Sequence, residues 1–181
     1  MTIGTRSILF GVHQFIWHPI TVALAWRRCY KRWPSWRQLI PIIFHDVGYW
    51  GRADIDGVEG KWHPLGGAWW SARVHAWLSG RWYPKAGTMD SYVYMLSVLH
   101  SRDMASRMGM SPWSLYHADK VSILYDPKWF YLLRAWLSGE IKEFKSNAIA
   151  SGHLKPGATN SEWFDFYRAH ICNRPEIKEL L

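Results

Sequence analysis

The stretch Leu39-Ile-Pro-Ile-Ile-Phe-His-Asp-Val-Gly-Tyr-Trp-Gly51 decides how this chain is read. A short apolar run ends in an imidazole and a carboxylate, His45-Asp46, and passes at once into a glycine-containing turn. A His-Asp dipeptide alone carries little information. Here it stands within an ordered set: His18 in WHPITVALAW, His63 in WHPLGGA, His100 in LHSR and Asp119 in HADKVSILYDP. Neutral imidazole and ionised aspartate offer lone pairs at neutral pH. Six such donors are enough to hold two metal ions and leave positions for water and substrate. Adjacent side chains on a helix diverge by about 100°, so His45 and Asp46 serve one cluster only if their helix end lies against it. His18, His63 and His100 would then complete the shell from three other helices, and Asp119 from a fourth.

The rest of the chain reads as helix. Alternating strand patterns are scarce. Residues 18–31 form a helix with Pro19 in its first turn, and Ser35 caps a second running to about Asp46, which Pro41 should kink or divide. Residues 48–61 are a Gly- and Asp-rich loop. Further helices run from His63 to AWLSG at Gly80, and from a Thr88 cap to near His100. Others open at Ser111-Pro112, carrying Asp119, and at Asp126-Pro127, ending at a second AWLSG with Gly139. Segments 140–150 and 161–172 and a short helix at Pro175 complete the chain. The two AWLSG copies mark similar helix ends and not a repeat architecture. The linker 151–160 is the only candidate internal boundary, and the residues beyond it are too few for a domain. The expectation is one all-α domain over 1–181, with the ligand motifs in 18–127 and a helical extension over 128–181.

Composition fits a folded domain. The 181 residues are 49% hydrophobic, and the 14 tryptophans are expected mostly in the core or in pocket walls. The net charge of +8 favours anionic partners, namely nucleotides, nucleic acid or a membrane surface. The basic cluster from Arg27 to Trp33 ends a helix, where cations also suit the helix dipole. Cys29 and Cys172 make no disulfide framework and fit a reduced cytoplasm. No apolar run is long enough for a transmembrane helix. The N-terminal segment lacks a signal-peptide cleavage pattern, and an amphipathic membrane-surface role for it is a minor alternative.

These residues resemble the HD metal-dependent phosphohydrolase superfamily. His18-Pro-Ile-Thr-Val22-Ala23 is similar to that family's HxxxVA helix, and Phe44-His45-Asp46-Val47 to its apolar-HD signature. His63-Pro-Leu-Gly-Gly67-Ala68 is similar to the HxxxGA helix of members with extra histidines, and Ala118-Asp119-Lys120 to the final aspartate motif. The resemblance covers residues 18–127. It implies an all-helical bundle that hydrolyses phosphate esters or anhydrides. The extra histidines place the likeness among dinuclear members, and imply two divalent ions (Fe, Mn, Co, Ni or Mg) on His18, His45, Asp46, His63, His100 and Asp119. Two features depart from relatives. HDVGY has tyrosine where many members have the lysine of HDxGK, and His100-Ser101 without a GYP loop is unlike the HD-GYP group.

Cations near these ligands are candidates for substrate contact. Arg102 lies two residues after His100 and Lys120 one after Asp119; with Asp46 they form the expected catalytic set. Arg52 and Lys61, in the loop after the HD motif, are further candidates for binding phosphate oxygens. Tyr49 and Trp50 could wall a nucleobase. His13 competes with His18 on the same segment. His75, His117, His153 and His170 match no motif and read as structural. Asp54, Asp56 and Glu59 lack the EF-hand pattern and read as loop solvation.

The expected function is cleavage of a phosphate ester or anhydride of a nucleotide or related small phosphate by a metal-bound hydroxide. Two alternatives stand beside it. One is a mixed-valent diiron oxygenase on the same scaffold. The other is a basic nucleic-acid-binding protein, which has no need of six converging ligands.

Overall fold

The computed structural model describes residues 1–181 as eleven α-helices and three 3-10 turns, with no strand. The helices are α1 Ile3–Phe10, α2 Trp17–Tyr30, α3 Trp36–Phe44, α4 His63–Leu78, α5 Met89–Val98, α6 Arg102–Arg107, α7 Ser114–Val121, α8 Lys128–Ser138, α9 Glu140–Ala150, α10 Asn160–Cys172 and α11 Pro175–Lys178. The 3-10 turns are Val47–Tyr49, Gly60–Trp62 and Ser122–Tyr125. The chain is all-α, and no helix is long and apolar enough to cross a membrane.

Local chemistry accounts for most helix ends. The Thr88 hydroxyl accepts from the Asp90 amide, and Thr159 with Glu162 forms a capping box at the start of α10. Gly80 and Gly139 take left-handed φ values of 72° and 91° after the two AWLSG segments. Pro41 neither ends α3 nor divides it, and His45 closes the helix by donating its amide to the Pro41 carbonyl. Ser111-Pro112 does not open α7. Trp113 stays extended, with its amide bonded to the Leu99 carbonyl at 3.0 Å, so the helix starts at Ser114. The short α6 has no counterpart in the sequence expectation; its cap is the Ser101 side chain.

The two larger of four apolar clusters hold most of the helices together. Val22, Trp26, Ile42, Leu96, Leu115 and Val121 join α2, α3, α5 and α7. Ile123, Tyr131, Ala135, Ile141, Trp163 and Phe164 join the C-terminal helices α8, α9 and α10. Each fully buried aliphatic side chain among them contributes about 1.5–3 kcal/mol. The loop from Gly11 to Ile16 is tied to α8 and α9 by polar contacts. Arg134, buried against Asp126, donates to the carbonyls of Gly11 and Val12, and the Val12 amide donates to the Glu140 carboxylate at 2.9 Å. The extension 128–181 is thus packed onto the N-terminal half.

The tryptophans are not where composition placed them. Of the 14, ten are exposed, and only Trp26 and Trp163 are buried. Apart from these two, the cores are filled mainly by aliphatic residues and alanine, with Tyr131 and Phe164.

One backbone approach positions the HD segment. A Cβ on Gly67 would lie 1.9 Å from the His45 carbonyl oxygen, and one on Gly48 would lie 1.9 Å from that of His63. Only glycine at both positions lets α4 lie directly on the turn after α3. Gly67→Ala is therefore expected to destabilise the protein by about 1–3 kcal/mol, read from denaturant unfolding. Unchanged stability would mean that the two segments are not in contact.

Candidate metal centre

The six residues singled out in the sequence converge. His18 is the second residue of α2, His45 and Asp46 come directly after α3, His63 opens α4, His100 lies just beyond α5, and Asp119 lies in the last turn of α7. His18 Nε2 lies 3.2 Å from Asp46 Oδ2 and 3.1 Å from Asp119 Oδ1. His45 Nε2 lies 3.2 Å from Asp46 Oδ2 and 3.7 Å from Asp119 Oδ1. The other Asp46 oxygen, Oδ1, lies 3.6 Å from His63 Nε2 and 3.7 Å from His100 Nε2. The result is two donor groups, His18-His45-Asp46-Asp119 and Asp46-His63-His100, joined through Asp46.

The hydrogen bonds fix which nitrogen faces inward. The Nδ1 of His45 sits 3.0 Å from the Ile42 carbonyl, that of His63 sits 2.6 Å from the Gly60 carbonyl, and that of His100 contacts the Ser97 carbonyl. A carbonyl only accepts, so each Nδ1 carries a proton, and each Nε2 presents a lone pair when its ring is neutral. His63 Nε2 and His100 Nε2 then face each other at 3.0 Å with no donor between them. Two nitrogens about 2.1 Å from one ion, at about a right angle, would have this spacing. On the other side, His18 Nε2, His45 Nε2 and Asp46 Oδ2 are buried without any hydrogen-bond partner. Buried polar atoms left without partners cost free energy. A divalent cation on each side would satisfy these atoms, so the residues fit a pair of metal ions.

The electrostatics agree. Burial opposes charge on His45, but Asp46 and Asp119 outweigh it and raise its pKa to about 10. Burial also works against the charged forms of Asp46 and Asp119. Asp46 is nevertheless held ionised chiefly by His45, and Asp119 chiefly by Lys120, whose Nζ is 2.9 Å away. Burial depresses His63 and His100, which favours neutral ligands.

The rim differs in part from the sequence expectation. Arg102, Lys61 and Lys120 line a cavity of about 270 Å³ at the cluster, as does Arg174, which sequence reading missed. Arg102 and Arg174 both donate to the Tyr116 hydroxyl, at 2.8 and 2.6 Å. Tyr49 is buried and stacks on His63, with ring centroids 3.8 Å apart, so it braces that imidazole while lining the cavities. Trp50 and Arg52 are not brought to the site. The 3-10 turn sends Trp50 to an apolar surface groove, and Arg52 donates back to the Gly48 carbonyl. A second cavity, about 390 Å³, adjoins His18, Asp119 and Lys120 and reaches Phe144, Trp163 and Tyr167 on α9 and α10.

His13, weighed only as a competitor of His18, has a distinct place. It lines both cavities. Its Nδ1 bonds the fully buried Glu140 at 2.8 Å, and Glu140 also accepts from Ser7 and Ser138. Burial works against charge on His13, but Asp46 and Glu140 outweigh it and raise its pKa. Nothing adjacent in sequence could reveal a pairing across 127 positions.

Compared with known proteins, the chain matches no family model, no curated protein and no solved structure.

Metal binding should be pH-dependent with a definite sign. Without metal, His45 is protonated at neutral pH, and ligation through Nε2 must release that proton. Affinity should therefore rise with pH, about tenfold per unit for each proton displaced, and level off above about pH 10. Competition with a chromogenic chelator between about pH 6 and 8 measures the slope. A flat profile would contradict ligation by His45.

Proposed function

We propose that the chain is a metal-dependent phosphohydrolase of the HD type, acting on a nucleotide or a related small phosphate. The observation that carries this reading is the Asp46 carboxylate, shared by two groups of converging donors, one of them with buried atoms that lack a partner, and open to a cavity rimmed by cations. When bound, a pair of divalent ions would polarise phosphate oxygens and make water acidic enough to act at neutral pH.

The chain's own residues divide the remaining tasks. Arg102 and Arg174, held side by side on Tyr116, present two guanidiniums to phosphate oxygens. Lys120 adds a point charge beside Asp119. Phe144 stacks on Trp163, and Trp163 on Tyr167, so the larger cavity offers aromatic faces to a base or another planar group. His13, oriented by Glu140 through Nδ1, is placed to give a proton from Nε2 to the departing oxygen. That role fits a chain with tyrosine in place of the HDxGK lysine.

The same donor set would suit an iron pair in an oxygenase. Phosphate release in the absence of oxygen separates the two. A panel of nucleotides with Mn²⁺, Co²⁺, Ni²⁺ or Fe²⁺ is the direct assay. Turnover that appears only with oxygen would favour the oxygenase, and no turnover with any phosphate would remove the hydrolase reading.

Two variants test the assignments. Arg174→Ala should raise KM about ten- to a hundredfold with bound metal unchanged. His13→Gln should lower kcat about a hundredfold or more on alkyl phosphates, yet spare p-nitrophenyl phosphate, whose leaving group needs no proton. Equal losses on both substrates would remove the proton-donor role.

A further inference from the structure

Ten exposed tryptophans call for a physical account, because water solvates an indole face poorly. Exposed apolar side chains cluster along the α1–α2 connection. Between Arg6 and Arg27 the chain has no Lys, Arg, Asp or Glu. In that segment Leu9, Phe10, Phe15, Ile16 and Ile20 are exposed, Ile16 to 70%. Phe15 meets Phe44 edge-on at 5.7 Å. Leu9, Phe15, Ile16 and Phe44, with Trp50 and Trp70, wall a surface groove of about 470 Å³ in which Gln14 is the only polar side chain. Helix α8, packed on α1, adds an outer stripe of Trp129, Leu133, Trp136 and Leu137. Its one charged residue after Lys128, Arg134, is turned inward to Asp126.

The charge beside this surface has one sign. No Asp or Glu precedes Asp46, while Arg27, Arg28, Lys31, Arg32 and Arg37 are all exposed at the far end of α2 and the start of α3. Trp33 lies against Arg27 and Trp36 against Arg37, with the cations 4.7 and 5.1 Å from the ring centroids. Helix α3 links the two regions. Its exposed Trp36, Leu39 and Ile43 run from the basic end toward Phe44 at the groove.

We propose that this face docks on an anionic phospholipid bilayer without crossing it. The apolar side chains would enter the interfacial layer, where indole is favoured, and the cations would meet headgroup phosphates. A second copy of this chain is a poorer occupant. An isologous pair sets the same patch on both partners, and this patch has cations with no acid to receive them. A bilayer supplies both the apolar layer and the negative charge. None of these residues lines the cavities at the metal centre, so docking leaves that site open. The proposal does not depend on the reaction assigned above.

Vesicle sedimentation tests it, with sedimentation velocity in the absence of lipid. The wild-type protein should be monomeric alone, and should pellet with phosphatidylglycerol-containing vesicles about tenfold more than with phosphatidylcholine alone. Ile16→Ser/Trp136→Ser should partition at least about tenfold less, since each side chain would lose its burial in lipid. Arg27→Gln/Arg28→Gln/Arg32→Gln should lose the preference for anionic lipid. All five positions are exposed, and circular dichroism checks that the helices persist. Wild type that stays in solution with anionic vesicles, or a double variant that pellets as the wild type does, would overturn the proposal. So would a dimer that the double variant converts to monomer, which would assign the face to a second copy.

Discussion

The arrangement at the centre of this molecule depends on acceptor atoms that converge with too few protons to pair them. Three histidines spend their Nδ1 protons on nearby backbone carbonyls. Their Nε2 atoms therefore point inward as acceptors, toward two carboxylates that are acceptors as well. In a buried site such a set is unfavourable on its own, because like partial charges face each other in a low dielectric. The raised pKa of His45 is the metal-free molecule's partial remedy: one proton is retained where a cation is needed. Metal bound to these donors would remove the conflict on both sides of Asp46.

The fold is arranged to impose this geometry. Five separate elements deliver the converging donors, and the two that must come closest do so through glycine. Gly67 lies against the His45 carbonyl and Gly48 against that of His63, so the ends of α3 and α4 meet with no side chain between them. Asp119 arrives from α7, which shares its apolar core with α2 and so stands opposite His18. The C-terminal helices close the far side. They bring Glu140 under His13, Arg174 beside Arg102, and an aromatic wall to the larger cavity.

Much of this was legible in the sequence, for definite reasons. His45-Asp46 after an apolar run, and His63 before Pro64 at a helix start, announce themselves through local patterning. Helix ends at Thr88, Gly80 and Gly139 arise from capping chemistry within a few residues. What stayed hidden depends on three-dimensional closure. The His13–Glu140 pair and the Arg174–Tyr116 contact join residues far apart in the chain. Trp50 and Arg52 were misplaced because a 3-10 turn after Asp46 changes direction within three residues, and spacing does not show that. The tryptophans were expected inside because burial is their usual fate. Here most of them lie at the surface.

Metal stoichiometry tests the central claim most directly. Protein stripped with a chelator, reloaded with a single divalent metal and freed of excess should hold two ions per chain by elemental analysis. His63→Ala should retain one, because it breaks only the group formed with His100 and Asp46 Oδ1. Asp46→Ala should lose both, because its carboxylate serves the two groups together. Substoichiometric metal in the wild type, or the same metal content in all three proteins, would contradict a dinuclear centre bridged by Asp46.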